Sequence, residues 1–292
     1  MWNILVYPAD KKVVAKTSKA VSKYFKEKDI AFNVYFCMQE GELESIANTL
    51  TTDGGKDFII VGENQAVNEF INGAQDLSNV GIGIVPAGNN DFARVLKPGK
   101  NIRHYLDQVV LKEGIRIDIL QCNERKALGF VSCGIDVPTI EKFENYKSQN
   151  SFKHFLVSVA SNVFSFGQMQ AKVNYGDKSK VKQFLLLAFC NSKYMANNLR
   201  INPHANLSDG LGNLIIIPPL TNFKRFMMLT NIRFGKHVRK ENVEEHWEEN
   251  ISLESDQNFK LNIDGKIYEM KNPAIKVLPN ALMLYLGRYK CD

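Results

Sequence analysis

The sequence predicts an α/β fold over residues 1 to about 115, followed by a strand-rich second half. Two observations carry that prediction. Short apolar runs alternate with apolar stripes at helical spacing, the pattern that builds a parallel sheet. Beyond Gly114 the helical stripes thin out and period-two alternation takes over. A length of 292 residues is comfortable for two domains, and the change of texture puts the boundary near residues 114 to 118.

The elements follow in order. Ile4 to Tyr7 is a short apolar run, and Val14, Val21, Tyr24 and Phe25 then fall on one helical face among lysines. Ala31 to Phe36 reads as a strand, and Leu43, Ile46, Ala47 and Leu50 as a helix. Asp57 to Val61 is a buried-type strand, followed by a stripe of Val67, Phe70, Ile71 and Ala74. Gly81 to Val85 is a further strand, and Tyr105, Leu106, Val109 and Val110 mark one more helix. The stretch "RIDILQCNERKALGFVSCG" then reads as two strands around an Asn123-Glu124 turn. Phe152, Phe155, Leu156, Val159 and Val163 suggest a helix that either lines an apolar pocket or packs on the second half. Met169 to Tyr175, Phe184 to Cys190 and Leu214 to Pro218 read as strands, and Phe223 to Phe234 as a helix. Phe259, Leu261 and Ile263 alternate into Asp264-Gly265, a hairpin with a two-residue turn.

Composition narrows the class. The 45% apolar and 23% charged residues are those of an ordinary globular protein. The longest apolar run, around Phe184 to Cys190, is far short of the ~20 residues of a membrane helix. The start, Met-Trp-Asn-Ile-Leu-Val-Tyr, lacks the features of a signal peptide and reads as a first strand. Five scattered cysteines without a C-x-x-C pair suggest neither disulfides nor zinc, so a reducing cytoplasm is expected. A net charge of +6 suits phosphate-bearing ligands or an anionic membrane surface and is too mild for a nucleic-acid partner. Arg233, Lys236, Arg239 and Lys240 cluster locally and read as a solvated helix end.

Three loops follow predicted strands: Pro8-Ala9-Asp10-Lys11, Gly62 to Ala66, and Gly88-Asn89-Asn90-Asp91. In parallel sheets such loops lead into helix N-termini that favour anions. The segment "VNEFINGAQDLSNVGIGIVPAGNNDFAR" resembles the diacylglycerol kinase catalytic family, which includes bacterial soluble lipid kinases and the related sphingosine kinases. Asn68, Glu69, Asn72 and Gly73 match the family's helix, and Pro86, Gly88, Asn90, Asp91, Phe92, Ala93 and Arg94 match its second motif. "RIDIL", "FVSCGIDV", "NLSDGLGNLIII" and "FKLNIDGKIYE" follow in family order, so the resemblance covers nearly the whole chain.

That resemblance implies a Rossmann-like N-terminal domain of the NAD kinase and diacylglycerol kinase type over residues 1–116, with 283–292 a candidate for completing it. It implies a C-terminal β-sandwich for the lipid over 117–282. ATP and Mg²⁺ are the implied cofactors, and a lipid such as diacylglycerol is the implied substrate, phosphorylated on a hydroxyl. Asp264, in the position of the family's Asp-Gly-Glu motif, is the implied base, the carboxylate near the acceptor that phosphoryl transfer asks for. Gly62, Asn64, Glu69, Gly88, Asn89, Asn90 and Asp91 are the implied nucleotide contacts. Asp209 is a candidate metal ligand, against which stands the turn character of Ser208-Asp209-Gly210. A peripheral membrane contact and a homodimer are compatible with this class.

The chain also departs from the family. Gly-Gly-Asp-Gly-Thr has become Gly62-Glu63-Asn64-Gln65-Ala66, which loses two glycines, an acid and a hydroxyl. The first loop keeps only Pro8, the Gly88 loop is one residue shorter, and Asp-Gly-Glu reads Asp264-Gly265-Lys266. A second expectation therefore stands beside the kinase: a catalytically impaired member that binds lipid or nucleotide. Local readings compete as well, with Asn64 or Asp91 as helix caps and Asp264-Gly265 as an ordinary hairpin turn.

Overall fold

The computed structural model describes residues 1–8, 11–87, 101–144, 161–162, 165–195 and 199–286. The chain divides into two compact units, one of Met1–Ile119 with Leu278–Asp292 and one of Leu120–Val277.

The first unit is a parallel sheet with helices between its strands. In chain order come β1 (Trp2–Val6), α1 (Lys11–Glu27), β2 (Phe32–Phe36), α2 (Glu42–Thr52), β3 (Asp57–Gly62), α3 (Asn64–Gly73), β4 (Gly81–Pro86) and α4 (Ile102–Val109). The strands lie in the order β2-β1-β3-β4, all parallel. The end of the last strand, β16 (Ala274–Tyr285), adds to β4 by pairing Met283 with Gly81 and Leu284 with Ile82. Every residue of β1 and β3 is buried, as expected of parallel strands covered on both faces.

Alternation along β1 decides which helices cover which face. Trp2, Ile4 and Val6 share a core with Val14, Val21, Tyr24 and Phe25 of α1 and Tyr105, Leu106 and Val109 of α4. On the other face Phe58 of β3 stacks against Phe70 of α3 with ring centroids 4.9 Å apart. There α2 and α3 cross so closely that a Cβ on Gly73 would lie 2.0 Å from the carbonyl oxygen of Glu44, so only glycine fits.

In the second unit six antiparallel strands run in the order β12-β11-β10-β7-β14-β15. They are β7 (Phe130–Gly134), β10 (Leu186–Cys190), β11 (Gly212–Ile217), β12 (Glu244–Glu248), β14 (Phe259–Ile263) and β15 (Lys266–Met270). A second layer holds β8 (Met169–Tyr175), β9 (Lys178–Phe184), β13 (Asn250–Glu254) and the first part of β16. The end of β5 (Gly114–Cys122) belongs to that layer too and forms a hairpin with β6 (Arg125–Ala127). Leu187 and Phe189 of β10 point into the core between the layers with Val173, Phe184 and Leu253, while Leu186, Ala188 and Cys190 face the opposite way. That outer face is covered by α6 (Asn222–Arg233) through Met228 and Ile232. A short helix, α5 (Asp136–Glu144), follows β7.

The stretch read as two strands around Asn123-Glu124 contains three. The hairpin turn is where it was expected, but the chain breaks at Leu128-Gly129 and β7 joins the other layer. Helix α5 is too weakly periodic to be visible in the sequence. Phe152, Phe155, Leu156, Val159 and Val163, on which a helix was expected, lie outside the described residues.

One contact fastens the chain's last strand to the first unit. The Tyr285 hydroxyl donates to Asp57 Oδ1 at 2.8 Å, and Lys112 Nζ lies 2.6 Å from Asp57 Oδ2. The Tyr285 ring meets Trp2 edge-on at 5.6 Å. Tyr285→Phe keeps the packing and removes a buried hydrogen bond to a carboxylate, so it should cost about 1.5–3 kcal/mol. Urea unfolding measures this, and a loss under about 0.5 kcal/mol would show that Lys112 alone satisfies Asp57.

Candidate functional site

In the first unit the chain runs from β1 to β2 on one side of β1, and β3 then lies on its other side. Such a reversal leaves a crevice beyond the carboxyl ends of the two strands, the usual ligand position in open α/β sheets. Here the ends are Tyr7-Pro8 after β1 and Gly62-Glu63 after β3, tied by the Tyr7 N–H donating to the Val61 carbonyl at 3.0 Å.

The crevice is lined by its own packing. A Cβ on Gly62 would lie 2.7 Å from Ala66 Cβ and 2.8 Å from Tyr7 Cβ, so the first turn of α3 and the end of β1 close over this glycine. Asn64 is the first residue of α3; Glu63, half-buried and without a side-chain capping bond, takes the cap position proposed for it. Glu69, 3% exposed, turns its carboxylate inward, where Oε1 accepts from the Tyr7 hydroxyl at 2.8 Å and from the Gly41 N–H at 2.7 Å. Its Oε2 is buried without a hydrogen-bond partner among the described residues. Burial, then the Glu69 hydrogen bond and charge, push the Tyr7 phenol well above its ordinary range. The neighbouring Cys37 thiol is raised to about 12 by burial and by Glu42 and Glu69, so it is no nucleophile.

In the second unit the predicted hairpin is present, with Ile263 paired to Lys266 and Asp264 and Gly265 both at positive φ, 49° and 98°. The Asp264 carboxylate accepts three backbone N–H groups: Leu128 to Oδ2 at 2.6 Å, and Gly129 and Phe130 to Oδ1 at 2.9 and 3.0 Å. A carboxylate has roughly four acceptor positions, so most of its capacity serves to shape the loop ahead of β7.

That hairpin is joined to a cavity. Register places Asn262 opposite Ser132. The Asn262 amide oxygen accepts the Gly265 N–H at 2.8 Å, while its NH₂ donates to Asp136 Oδ2 at 2.9 Å. Ser132 Oγ donates to the same oxygen at 2.7 Å. Asp136 opens α5 and sits on the wall of a cavity of about 60 Å³, with Thr139 and otherwise apolar residues: Ile135, Ile140, Leu186, Met195, Leu199, Ile201, Leu229 and Ile232. Asp136 Oδ1 is buried and makes no hydrogen bond of good geometry among the described residues. Burial pushes the Asp136 carboxyl up, against the Ser132 and Asn262 hydrogen bonds and the nearby N–H groups of Asp136 and Val137.

The structure thus brings Gly62, Asn64 and Glu69 to one crevice, Glu69 buried beneath it. Gly88, Asn89, Asn90 and Asp91 lie outside the described residues. Asp209 is exposed and its Oδ1 accepts the Leu211 N–H at 3.1 Å, a turn contact. No group of three His, Cys, Asp or Glu among the described residues is arranged to hold a metal. Asp136 and Asn262 are not among the residues singled out from the sequence. Asp136 lies in the matched "FVSCGIDV" segment, but Asn262 shares strand parity with the exposed Lys260 and gives no signal of burial.

Comparison with known proteins places these features. Residues 5–122 match the diacylglycerol kinase catalytic domain, and residues 129–286 match the YegS C-terminal NAD kinase beta sandwich-like domain. The chain belongs to the diacylglycerol kinase family. A Staphylococcus aureus (strain MSSA476) protein named "Putative lipid kinase SAS0691" is 28% identical over 77% of this chain and 75% of its own. A diacylglycerol kinase from Bacillus anthracis str. Sterne shares the fold, with a TM-score of 0.76, 15% identity, and 98% and 96% of the two chains covered. An NAD kinase from Archaeoglobus fulgidus, solved in complex with ATP, is more distant at a TM-score of 0.57 and 12% identity, covering 99% of this chain and 94% of its own. The fold class is therefore α/β of the diacylglycerol kinase and NAD kinase type with a C-terminal β-sandwich.

The described side of the crevice does not fit the nucleotide that this family implies. Glu63, Asn64 and Gln65 carry side chains where the family pattern has glycine, acid and glycine, so backbone cannot approach phosphate as closely there. Glu63 also sets a carboxylate at the end of α3 where an anion would sit.

Two measurements probe the second unit. Asp264→Ala leaves three N–H groups without their acceptor and should cost about 2–4 kcal/mol in urea unfolding, with Asp264→Asn losing less. A cost below about 1 kcal/mol would mean that water replaces the carboxylate readily. Asp136 gives the second, through pH. A carboxyl raised above its ordinary value of 3.8 binds its proton more tightly folded than unfolded, so its contribution to stability falls as pH rises from that value through the raised one. Asp136→Asn should gain stability over wild type between acidic and neutral pH, and parallel thermal-unfolding curves for the two proteins would refute the shift.

Proposed function

We propose that the protein is a lipid-recognition member of the diacylglycerol kinase family, keeping the lipid lobe and carrying a remodelled phosphate-donor loop. The departures at Glu63, Asn64 and Gln65 carry this reading, because side chains stand there where the family pattern has the glycines that let backbone approach a triphosphate. The ligand is a long-chain lipid with a free hydroxyl, of which diacylglycerol is the type. A few methylenes next to its headgroup enter the cavity walled by Leu186, Met195, Ile201 and Ile232, and its hydroxyl meets the Asp136 carboxyl. Asp136 suits a neutral polar headgroup, since burial favours its protonated form, which donates as well as accepts. Asn262 orients that carboxyl and couples it to the Asp264 turn. The setting is the cytoplasmic face of a membrane, reached without a span: no helix among the described residues is long and apolar enough to cross one.

A second reading keeps the family's reaction, with ATP and Mg²⁺ as donor, Gly62, Asn64 and Gly88 to Asp91 on the nucleotide, and Asp264 as base. The intact Asn90-Asp91-Phe92-Ala93-Arg94 segment favours it.

Calorimetry with Mg·ATP and a radiolabel transfer assay on diacylglycerol in detergent micelles separate the two. The first reading expects no saturable nucleotide binding up to about millimolar concentration, no labelled lipid, and a raised melting temperature with diacylglycerol. Labelled phospholipid that depends on Asp264 would establish the kinase instead. Restoring Glu63→Gly, Asn64→Asp and Gln65→Gly together should raise nucleotide affinity by roughly tenfold or more, one such step being 1.4 kcal/mol.

A further inference from the structure

Helix α6 has two apolar faces. Its inner face buries Met228 and Ile232, and Leu229 and Ile232 line the lipid cavity. Its outer face leaves Phe223 74%, Phe226 60% and Met227 49% exposed, and just past its end Phe234 is 64% exposed. Single exposed apolar residues are ordinary, but three at i, i+3 and i+4 on one helix with a fourth beside them form a patch. The helix is held in this orientation. Arg225 Nε donates to the Leu220 carbonyl at 2.8 Å and its Nη1 to the Phe166 carbonyl at 2.5 Å, while the buried His237 ring bonds the Ile201 carbonyl at 2.8 Å.

Along the sequence from the helix to Lys240 the charge has one sign, and the exposed Glu241 follows it. No Asp or Glu occurs between Asp209 and Glu241, and Lys224, Arg233, Lys236, Arg239 and Lys240 are all exposed there. Lys236 Nζ lies 6.0 Å from the Phe234 ring, so cation and aromatic occupy one patch. Aromatic residues bordered by lysine and arginine are the composition of helices that lie in the headgroup region of anionic bilayers.

We propose that the outer face of α6 and the turn after it dock on an anionic lipid bilayer. Phe223, Phe226, Met227 and Phe234 enter the headgroup boundary, and Lys236, Arg239 and Lys240 meet the lipid phosphates. This deepens the lipid-recognition reading, because the same helix walls the cavity on its inner face and so stands between the bilayer and the lipid's site.

Sedimentation of the full chain with vesicles tests this. Wild type should partition onto vesicles containing phosphatidylglycerol and much less onto phosphatidylcholine alone, with binding weakened by salt. The pair Phe223→Ser and Phe226→Ser should weaken partition by roughly tenfold or more. Lys236→Glu with Lys240→Glu should weaken it by about thirtyfold on phosphatidylglycerol and leave phosphatidylcholine unchanged. Circular dichroism and thermal unfolding must match wild type, as expected for exposed positions, and the salt dependence of wild type is read independently of any variant. Equal binding to both vesicle types, binding indifferent to both variant pairs, or a patch that instead drives self-association or capture of a protein would overturn the proposal. Vesicle binding needs no nucleotide, and transfer in neutral micelles needs no anionic surface, so either result stands apart from the other.

Discussion

The grip of the Asp264 carboxylate on three consecutive backbone N–H groups organises the second unit. Leu128 and Gly129 form the break after which the chain enters β7 at Phe130 in the opposite layer, and the turn there leaves backbone donors that need an acceptor. Asp264 supplies it from a tight turn that holds the residue at φ 49°. From the other side the N–H groups of Asn191 and Ser192 donate to the Gly129 carbonyl at 2.8 and 3.0 Å. Asn262 carries the same constraint onward to Asp136 and the cavity wall. Turn, loop and cavity are one hydrogen-bonded unit, and such networks fix geometry because each partner is costly to leave unpaired.

The first unit is organised differently, with a buried carboxylate drawing its loops together. Glu69 Oε1 joins Tyr7 after β1 to Gly41 at the start of α2, so three segments at the sheet's switch point are held without any ligand. A crevice that binds an anion must keep donors pointing outward and acids away from them. Here donors are turned in toward Glu69, and Glu63 stands at the mouth of α3.

Much of the fold was legible because burial imposes period. Val14, Val21, Tyr24 and Phe25 fall on the inner face of α1, and Asp57 to Val61 is fully buried, as their patterns announce. The hairpin at Asp264-Gly265 was legible from turn chemistry alone. The third strand around Leu128 was not, since a break of two residues between apolar runs leaves no periodic trace. Asp136 and Asn262 were hidden for a related reason. A polar residue buried beside a partner distant in sequence looks like any surface residue until register brings the two together. The inward turn of Glu69 was equally invisible, because spacing assigns a residue to a helix face but not a carboxylate to a donor.

The family motif itself separates packing from chemistry. Gly62, Asn68, Glu69, Asn72 and Gly73 are the residues of the first loop and its helix that follow the family pattern, and all but the half-buried Asn72 are buried. Gly62 and Gly73 occupy places where a Cβ would collide, and Glu69 satisfies Tyr7 and Gly41. The departures at Glu63, Asn64 and Gln65 fall on half-buried positions at the crevice mouth, where a ligand rather than the fold would dictate side chains. Substitution there costs the fold little, whereas substitution of the four buried residues creates a clash or strands a polar group. Packing alone maintains the buried part of the motif, and it leaves the residues at the crevice mouth unconstrained. At Asp264, three backbone donors demand a carboxylate at that turn whether or not it ever takes a proton.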